Sequence, residues 1–154
     1  MKIAEWRVAA APALLVTIGL GSCIAIVLHD AKARVGGLAH VLLPESAPQR
    51  EVVQPGRFPG HAVPLMLDEM RALGSEGAIT GRLVGGASLF GSLLAREGGT
   101  VGSRNITAAR HALQAAGIRV TGELVGGTSG RSVYFEVGSG RIDVKSLQEG
   151  HRVL

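Results

Sequence analysis

The chain's single cysteine, Cys23, follows a glycine-bearing turn, Gly19-Leu20-Gly21-Ser22, and leads an apolar run from Ile24 to Leu28. His40 stands farther along, in the stretch GLAHVLLP. A thiol beside an imidazole is a nucleophile with its base. The ring takes the thiol proton, the ion pair lowers the Cys pKa, and the sulfur can attack a carbonyl near neutral pH. Between the two residues, Asp30-Ala31-Lys32-Ala33 reads as a polar turn with Asp in a favoured opening position. Centred between Ala31 and Lys32, that turn joins a strand Cys23–His29 to a strand Arg34–Leu43 and sets Cys23 directly opposite His40. Opposed residues of an antiparallel pair have Cβ atoms about 4.5–5.5 Å apart on one face. A slip of one residue would send the two side chains to opposite faces, and Gly36-Gly37 offers a place for a bulge.

The turn adds a second component. A nucleophile just after a glycine-rich turn leaves backbone N–H groups free to meet a developing oxyanion, and Ser22 and Cys23 are the candidates. A base also needs a partner that orients it. Thr17, near the end of a preceding strand Leu14–Ile18, is the nearest polar residue for that role. The same residues fit a plainer reading. A lone cysteine in an apolar run is what inert core packing looks like, and His40 would then be a core histidine with its hydrogen bonds met.

These residues need a scaffold, and the rest of the chain predicts one. At 154 residues the chain is long enough for a real core and reads as a single domain over 1–154. Hydrophobic residues make up 46% and charged residues 18%, which excludes disorder. The 23 glycines, many in pairs beside apolar runs, predict tight turns and close backbone approaches. The segment Pro44–Gly60 holds Pro44, Pro48, Pro55 and Pro59 and reads as a loop. A helix is expected from Pro64, placed in its first turn, to Leu73, and another from Ser103 or Asn105 through Ala116 with Gly117 as its stop. Further strands are expected at Ile79–Ala87, Arg119–Val125, Ser132–Val137 and Arg141–Val144, the last two joined by Gly138-Ser139-Gly140. About seven strands and two helices make an α/β layered sandwich of mixed, largely antiparallel strands.

Several functions are set aside on composition and spacing. The formal charge of +4 comes from scattered basic residues, and one Trp, one Tyr and three Phe leave little to stack on bases, so no nucleic-acid role is expected. Arg104, Arg110 and Arg131 read as surface charges. No charged residue occurs from Val8 to Leu28, but Pro12, Gly19, Gly21 and Ser22 make a poor membrane helix. Leu20-Gly21-Ser22-Cys23 looks like a lipoprotein cleavage box, yet an apolar run follows where a polar tether belongs. Gly19 to Ile24 begins like a dinucleotide loop but lacks the third glycine, and a strand follows where a helix belongs. One Cys and five dispersed His form no zinc pattern. Asn105-Ile106-Thr107 fits a glycosylation sequon but reads as the opening of a helix. A single cysteine suits a reducing compartment.

The block VTIGLGSCIAIVLHDAKARVGGLAHVLLPES closely resembles the signature of the CheD family of chemoreceptor glutamine deamidases. The likeness continues through RLVGGAS, VGSRNI and ELVGGTSGRSVYFEVGSGRI, covering most of Val16 to Ile142. It departs at Arg57-Phe58-Pro59-Gly60-His61, where the family usually carries a Tyr-containing polar stretch. The resemblance implies a fold similar to cysteine-dependent deamidase toxins, with Cys23, His40 and Thr17 at the family's catalytic positions. It also implies hydrolysis of glutamines on the cytoplasmic domains of methyl-accepting chemoreceptors, without a cofactor or metal, by a cytoplasmic protein that is not membrane-inserted. A CheC-type phosphatase is the further partner it implies. A non-enzymatic adaptor for such partners, or a transglutaminase-type enzyme using an amine in place of water, are the alternatives.

Overall fold

The apolar run after Cys23 forms a strand because both of its faces are covered. In the computed structural model, which describes residues 1–45, 54–88 and 99–154, β3 (Ile24–Asp30) is buried at every position. Ile24, Ile26 and Leu28 face one core, while Ala25 and Val27 face another. Each such aliphatic side chain contributes roughly 1.5–3 kcal/mol when fully buried. That two-sided burial accounts for an uninterrupted hydrophobic run too short to be read as alternating.

Strand β3 is the centre of a five-stranded sheet of order β1-β4-β3-β5-β6, built from β1 (Trp6–Ala10), β4 (Val35–Val41), β5 (Ile79–Gly85) and β6 (Arg119–Val125). A second, four-stranded sheet has the order β2-β7-β8-β9, with β2 (Leu14–Leu20), β7 (Arg131–Glu136), β8 (Ile142–Ser146) and β9 (Gly150–Val153). Helices α1 (Pro59–Ala72) and α2 (Val101–Ala115) cover the outer face of the first sheet. The layers therefore run helices, five strands, four strands. Only β5 and β6 are parallel, joined by α2 as a crossover; the other pairs are antiparallel. This is the expected α/β layered sandwich.

The sheets meet closely because Gly36 carries no side chain. A Cβ there would lie 2.6 Å from the Phe135 ring, which is fully buried against it. On the other face, Met66 and Met70 of α1 and Leu113 of α2 complete the core over Ile24, Ile26 and Leu28.

Several boundaries differ from expectation. Helix α1 starts at Pro59, with Phe58 as N-cap, so Pro64 sits inside the helix and not in its first turn. Pro59 supplies the fixed φ that opens a helix, and Pro64 removes one later backbone bond without ending it. Helix α2 starts at Val101, where the Thr100 hydroxyl accepts from the Ser103 N–H at 3.2 Å. Strands β1 and β9 were not expected. Both are short strands whose pairing with β4 and β8 decides their conformation. β4 ends at Val41 and β5 at Gly85, each before the expected limit. Of the expected loop Pro44–Gly60, residues 46–53 lie outside the described residues, and Pro55–Arg57 form a single 3₁₀ turn. The uncharged stretch from Val8 is divided among β1, β2 and β3. No helix among the described residues is long and apolar enough to cross a membrane.

Candidate active site

Cys23 lies one residue before β3, where the chain passes from one sheet to the other. Strand β2 carries a register shift between Thr17 and Leu20, and Gly19 sits there at φ +75, a conformation that suits glycine. The chain then crosses through Gly21 and Ser22. All three carbonyls of this crossing are held: Gly21 O by the Ala87 N–H at 2.8 Å, Ser22 O by Asn105 Nδ2 at 2.9 Å, and Cys23 O by the Gly86 N–H at 2.7 Å. In a trans peptide the next N–H points opposite to the C=O. Fixing Gly21 O and Ser22 O therefore also fixes the directions of the Ser22 and Cys23 N–H groups.

The Gly85-Gly86 pair makes this contact possible. Both residues have positive φ, +115 and +69, and a Cβ on Gly85 would collide with Cys23 O. The motif LVGGAS is thus the backbone wall behind the cysteine.

His40 is on β4, but not directly opposite Cys23. The observed pairing sets His40 against Ala25 and Ile24 against Val41, so the register is displaced by two residues from the expected one. The reason is where the loop sits: four residues separate the strands as expected, but they are Ala31 to Arg34, one position later, between the last pair Asp30 and Val35. The Asp30 carboxylate accepts from the Lys32 and Ala33 N–H groups, and Arg34 takes φ +54. A displacement of two preserves the face. Cys23 and His40 are therefore diagonal neighbours on the side of the sheet that meets β2 and β7, a relation that spans about 7–8 Å between Cα atoms and less between side chains.

Thr17 reaches across from the second sheet. Its Oγ1 lies 2.8 Å from His40 Nδ1 and donates to the Met1 carbonyl at 3.3 Å. A hydroxyl has one proton. Given to Met1 O, it leaves Thr17 accepting from Nδ1–H, and the lone pair of His40 falls on Nε2. That atom is buried and has no hydrogen-bond partner among the described residues. The His40 backbone is held as well, its N–H by Glu5 O and its C=O by the Ala4 N–H, both at 2.9 Å.

Burial sets the charge state. It lowers the His40 pKa, and the N-terminal ammonium adds to that effect. It raises the Cys23 pKa, and the residue's own backbone N–H offsets only part of the rise. Both shifts favour a neutral thiol beside a neutral imidazole. Both directions act against the ion pair that the two residue types alone suggest. Cys23 as a whole is only 6% exposed.

Asn105 was read as a helix-opening residue, but it lies inside α2, fully buried, and touches the crossing beside Cys23. The VGSRNI motif contained that signal without showing its target. Arg131 was read as a surface charge, but it is 6% exposed. Its guanidinium pairs with Glu149 at 2.9 Å and donates to the Gly126 carbonyl at 2.8 Å. Arg104 and Arg110 are exposed, and Arg110 pairs with Glu123. No group of three or more His, Cys, Asp or Glu side chains among the described residues is placed to hold a metal.

Compared with known proteins, residues 42–146 match the family model described as CheD chemotactic sensory transduction. That match begins just after His40. Whole-chain similarity includes the earlier residues. The chain is 37% identical over 153 residues to a probable chemoreceptor glutamine deamidase CheD of Desulforamulus reducens, covering 99% of this chain and 92% of the relative. It is 43% identical over 151 residues to a probable chemoreceptor glutamine deamidase CheD 2 of Geobacter metallireducens, covering 96% and 92%. With the chemoreceptor glutamine deamidase CheD of Thermotoga maritima it shares 34% identity over 152 residues, covering 98% and 93%.

Proposed function

The chain belongs to the CheD family, and from that premise we propose that it is a protein-glutamine deamidase acting as one domain on chemoreceptor cytoplasmic regions, with Cys23 as nucleophile. The observation that carries this reading is the 2.8 Å contact between Thr17 Oγ1 and His40 Nδ1. It leaves His40 Nε2, which has no partner among the described residues, as the basic nitrogen on the face of the sheet that Cys23 shares. A core histidine with no chemical role would have both ring nitrogens satisfied.

The chemistry starts from the neutral pair. As a glutamine carboxamide reaches the sulfur, the Cys23 proton passes to His40 Nε2 and Sγ bonds to the carboxamide carbon. The Ser22 and Cys23 N–H groups receive the resulting oxyanion. The imidazolium returns its proton to the amide nitrogen, which leaves as ammonia, and a thioester remains. His40 then takes a proton from water, whose oxygen attacks the thioester carbon. The thiolate leaves and is reprotonated, and the side chain has become glutamate. Thr17 holds the ring through both half-reactions. No step requires a metal or cofactor. A CheC-type phosphatase is the further partner in this reading, and the cytoplasm is the compartment where receptor tails and a reduced thiol coexist.

The narrow exposure of Cys23 and its raised pKa favour a second reading, an adaptor whose cysteine is only core. Mass-spectrometric mapping of glutamine-to-glutamate conversion on receptor cytoplasmic fragments separates the two. The deamidase reading expects conversion by the native protein and none by Cys23→Ala. No conversion by either folded protein, on receptors of its own organism, would leave the adaptor. Cross-linked product on addition of a primary amine would point to transglutamination.

A further inference from the structure

Asn105 joins the two halves of this site. It is fully buried in α2, and its Nδ2 donates to Ser22 O and Leu42 O, both at 2.9 Å. Two carbonyl acceptors require two N–H donors, which fixes the orientation of the amide. Its Oδ1 is left buried without a partner among the described residues. The only other buried side-chain atom so described is His40 Nε2.

The location of these bonds is informative. Continued by one step, the β3–β4 register would pair Cys23 with Leu42, but the ladder stops at Ile24 and Val41. The Leu42 N–H turns away to Arg57 O at 3.0 Å. The Asn105 amide thus stands at the rung that the two strands abandon, tying the residue before Cys23 to the second residue after His40. Two glycines bring α2 this close. A Cβ on Gly102 would collide with Gly86 O, and one on Gly86 would lie 2.5 Å from Ile106.

We propose that Asn105 is a positioning residue that sets the separation of Cys23 from His40 and the direction of the Cys23 N–H. The inference deepens the deamidase reading and rests on it for its catalytic meaning. A side chain kept only for stability would bring its own acceptor a donor. This one gives Oδ1 no donor among the described residues, while both of its own donors hold the splayed strand ends.

The test uses the full chain, whose single cysteine makes thiol labelling unambiguous. The rate of Cys23 alkylation by iodoacetamide is measured near neutral pH in native protein, His40→Ala, Asn105→Ala and the double variant. The proposal expects His40→Ala to slow alkylation about tenfold in native protein and to have no further effect once Asn105 is gone, the signature of coupled residues. Rate effects that simply multiply overturn it. With a receptor fragment as substrate, Asn105→Ala should lower kcat about 10²-fold with KM little changed, as expected for a misplaced reacting group. Asn105→Gln keeps both donors at a longer reach and covers the case in which the alanine variant does not fold. It should melt like the native protein yet lose the His40 coupling; native coupling in that variant overturns the proposal. Because alkylation needs no receptor, intact coupling without deamidation would sink the deamidase reading and leave the positioning role standing.

Discussion

The two ends of the β3–β4 hairpin both bury polar groups, and they treat them in opposite ways. At the loop end, Asp30 is 1% exposed and accepts from the Lys32, Ala33 and Gly77 N–H groups and from the Ser75 hydroxyl. Burial by itself would raise its pKa, but those four donors outweigh it and hold the carboxyl below its ordinary value. At the other end, His40 Nε2 and Asn105 Oδ1 are buried and have no partner among the described residues, and both Cys23 and His40 are pushed toward their neutral forms. One strand pair therefore carries a saturated cluster and an unsaturated one. A buried acceptor left open costs about 1–3 kcal/mol. A fold retains such a cost where the open valence meets something that is not always present. Saturation marks the end that holds the hairpin together, and unsaturation marks the end to which the proposed chemistry is assigned.

Exchanging the losses between the two ends is the strongest way to break this contrast. Cys23→Ala should lower deamidation to background, at least about 10³-fold or roughly 4 kcal/mol of barrier. Denaturant unfolding of the same variant should show a change of about 1 kcal/mol. Comparable turnover in that variant would erase the distinction. Asp30→Ala should do the reverse, because it strands several buried donors at once. We expect about 2–4 kcal/mol lower stability in urea with turnover per folded molecule unchanged. A specific loss of turnover there would mean that the loop end also serves the chemistry. Thr17→Val, which keeps the shape and removes the hydroxyl, should slow turnover about tenfold to a hundredfold through a poorly oriented imidazole. An effect as large as that of Cys23→Ala would contradict Thr17 acting only through His40.

The smallest effect is a division of pH windows. His29 and His40 are both buried with lowered pKa values. Stability from keeping these rings neutral is present above the ordinary value of 6.5 and is lost as pH falls below it. Asp30 is also lowered, so its contribution is present above 3.8 and is lost only below that value. Urea midpoints followed from neutral to acid should fall in two stages, and Asp30→Asn should flatten the second. Because the Asp30 charge favours the protonated form of the adjacent His29, the same variant should deepen the first stage slightly; an unchanged second stage would remove Asp30 from the acid limb.

Much of this was legible in the residues, and the missing parts have physical causes. The glycine turn, the apolar run and the polar loop were enough to predict the hairpin, and the period of two was enough to keep Cys23 and His40 on one face. The register itself depended on the loop's position, one residue later than the polar turn suggests, with a non-glycine residue, Arg34, adopting positive φ inside it. Nothing local announces that. Strand β1 is legible only through its partner, since Trp6 to Ala10 pair with β4 after the hairpin has turned back. Asn105 resembled a cap because asparagine favours helix starts; its two acceptors are supplied by residues 83 and 63 positions away. Burial shifts the thiol and the imidazole toward their neutral forms, and residue types and spacing do not report burial. Arg131 was misread for a similar reason, since Glu149 covers it from 18 positions along the chain.

The four-residue loop between β3 and β4 has a consequence for the life of the protein before it is finished. A hairpin over so short a connection closes within about 1–10 μs. Docking of the second sheet, which brings Thr17, and of α2, which brings Asn105, requires slower non-local steps. Cys23 is also made early, before the segments that bury it have left the ribosome. During that interval the sulfur is an ordinary accessible thiol, more acidic than in the native fold and open to sulfenylation. Oxidative damage to this protein should accordingly fall on nascent and unfolding chains, while in the completed molecule the Cys23 side chain is almost wholly buried.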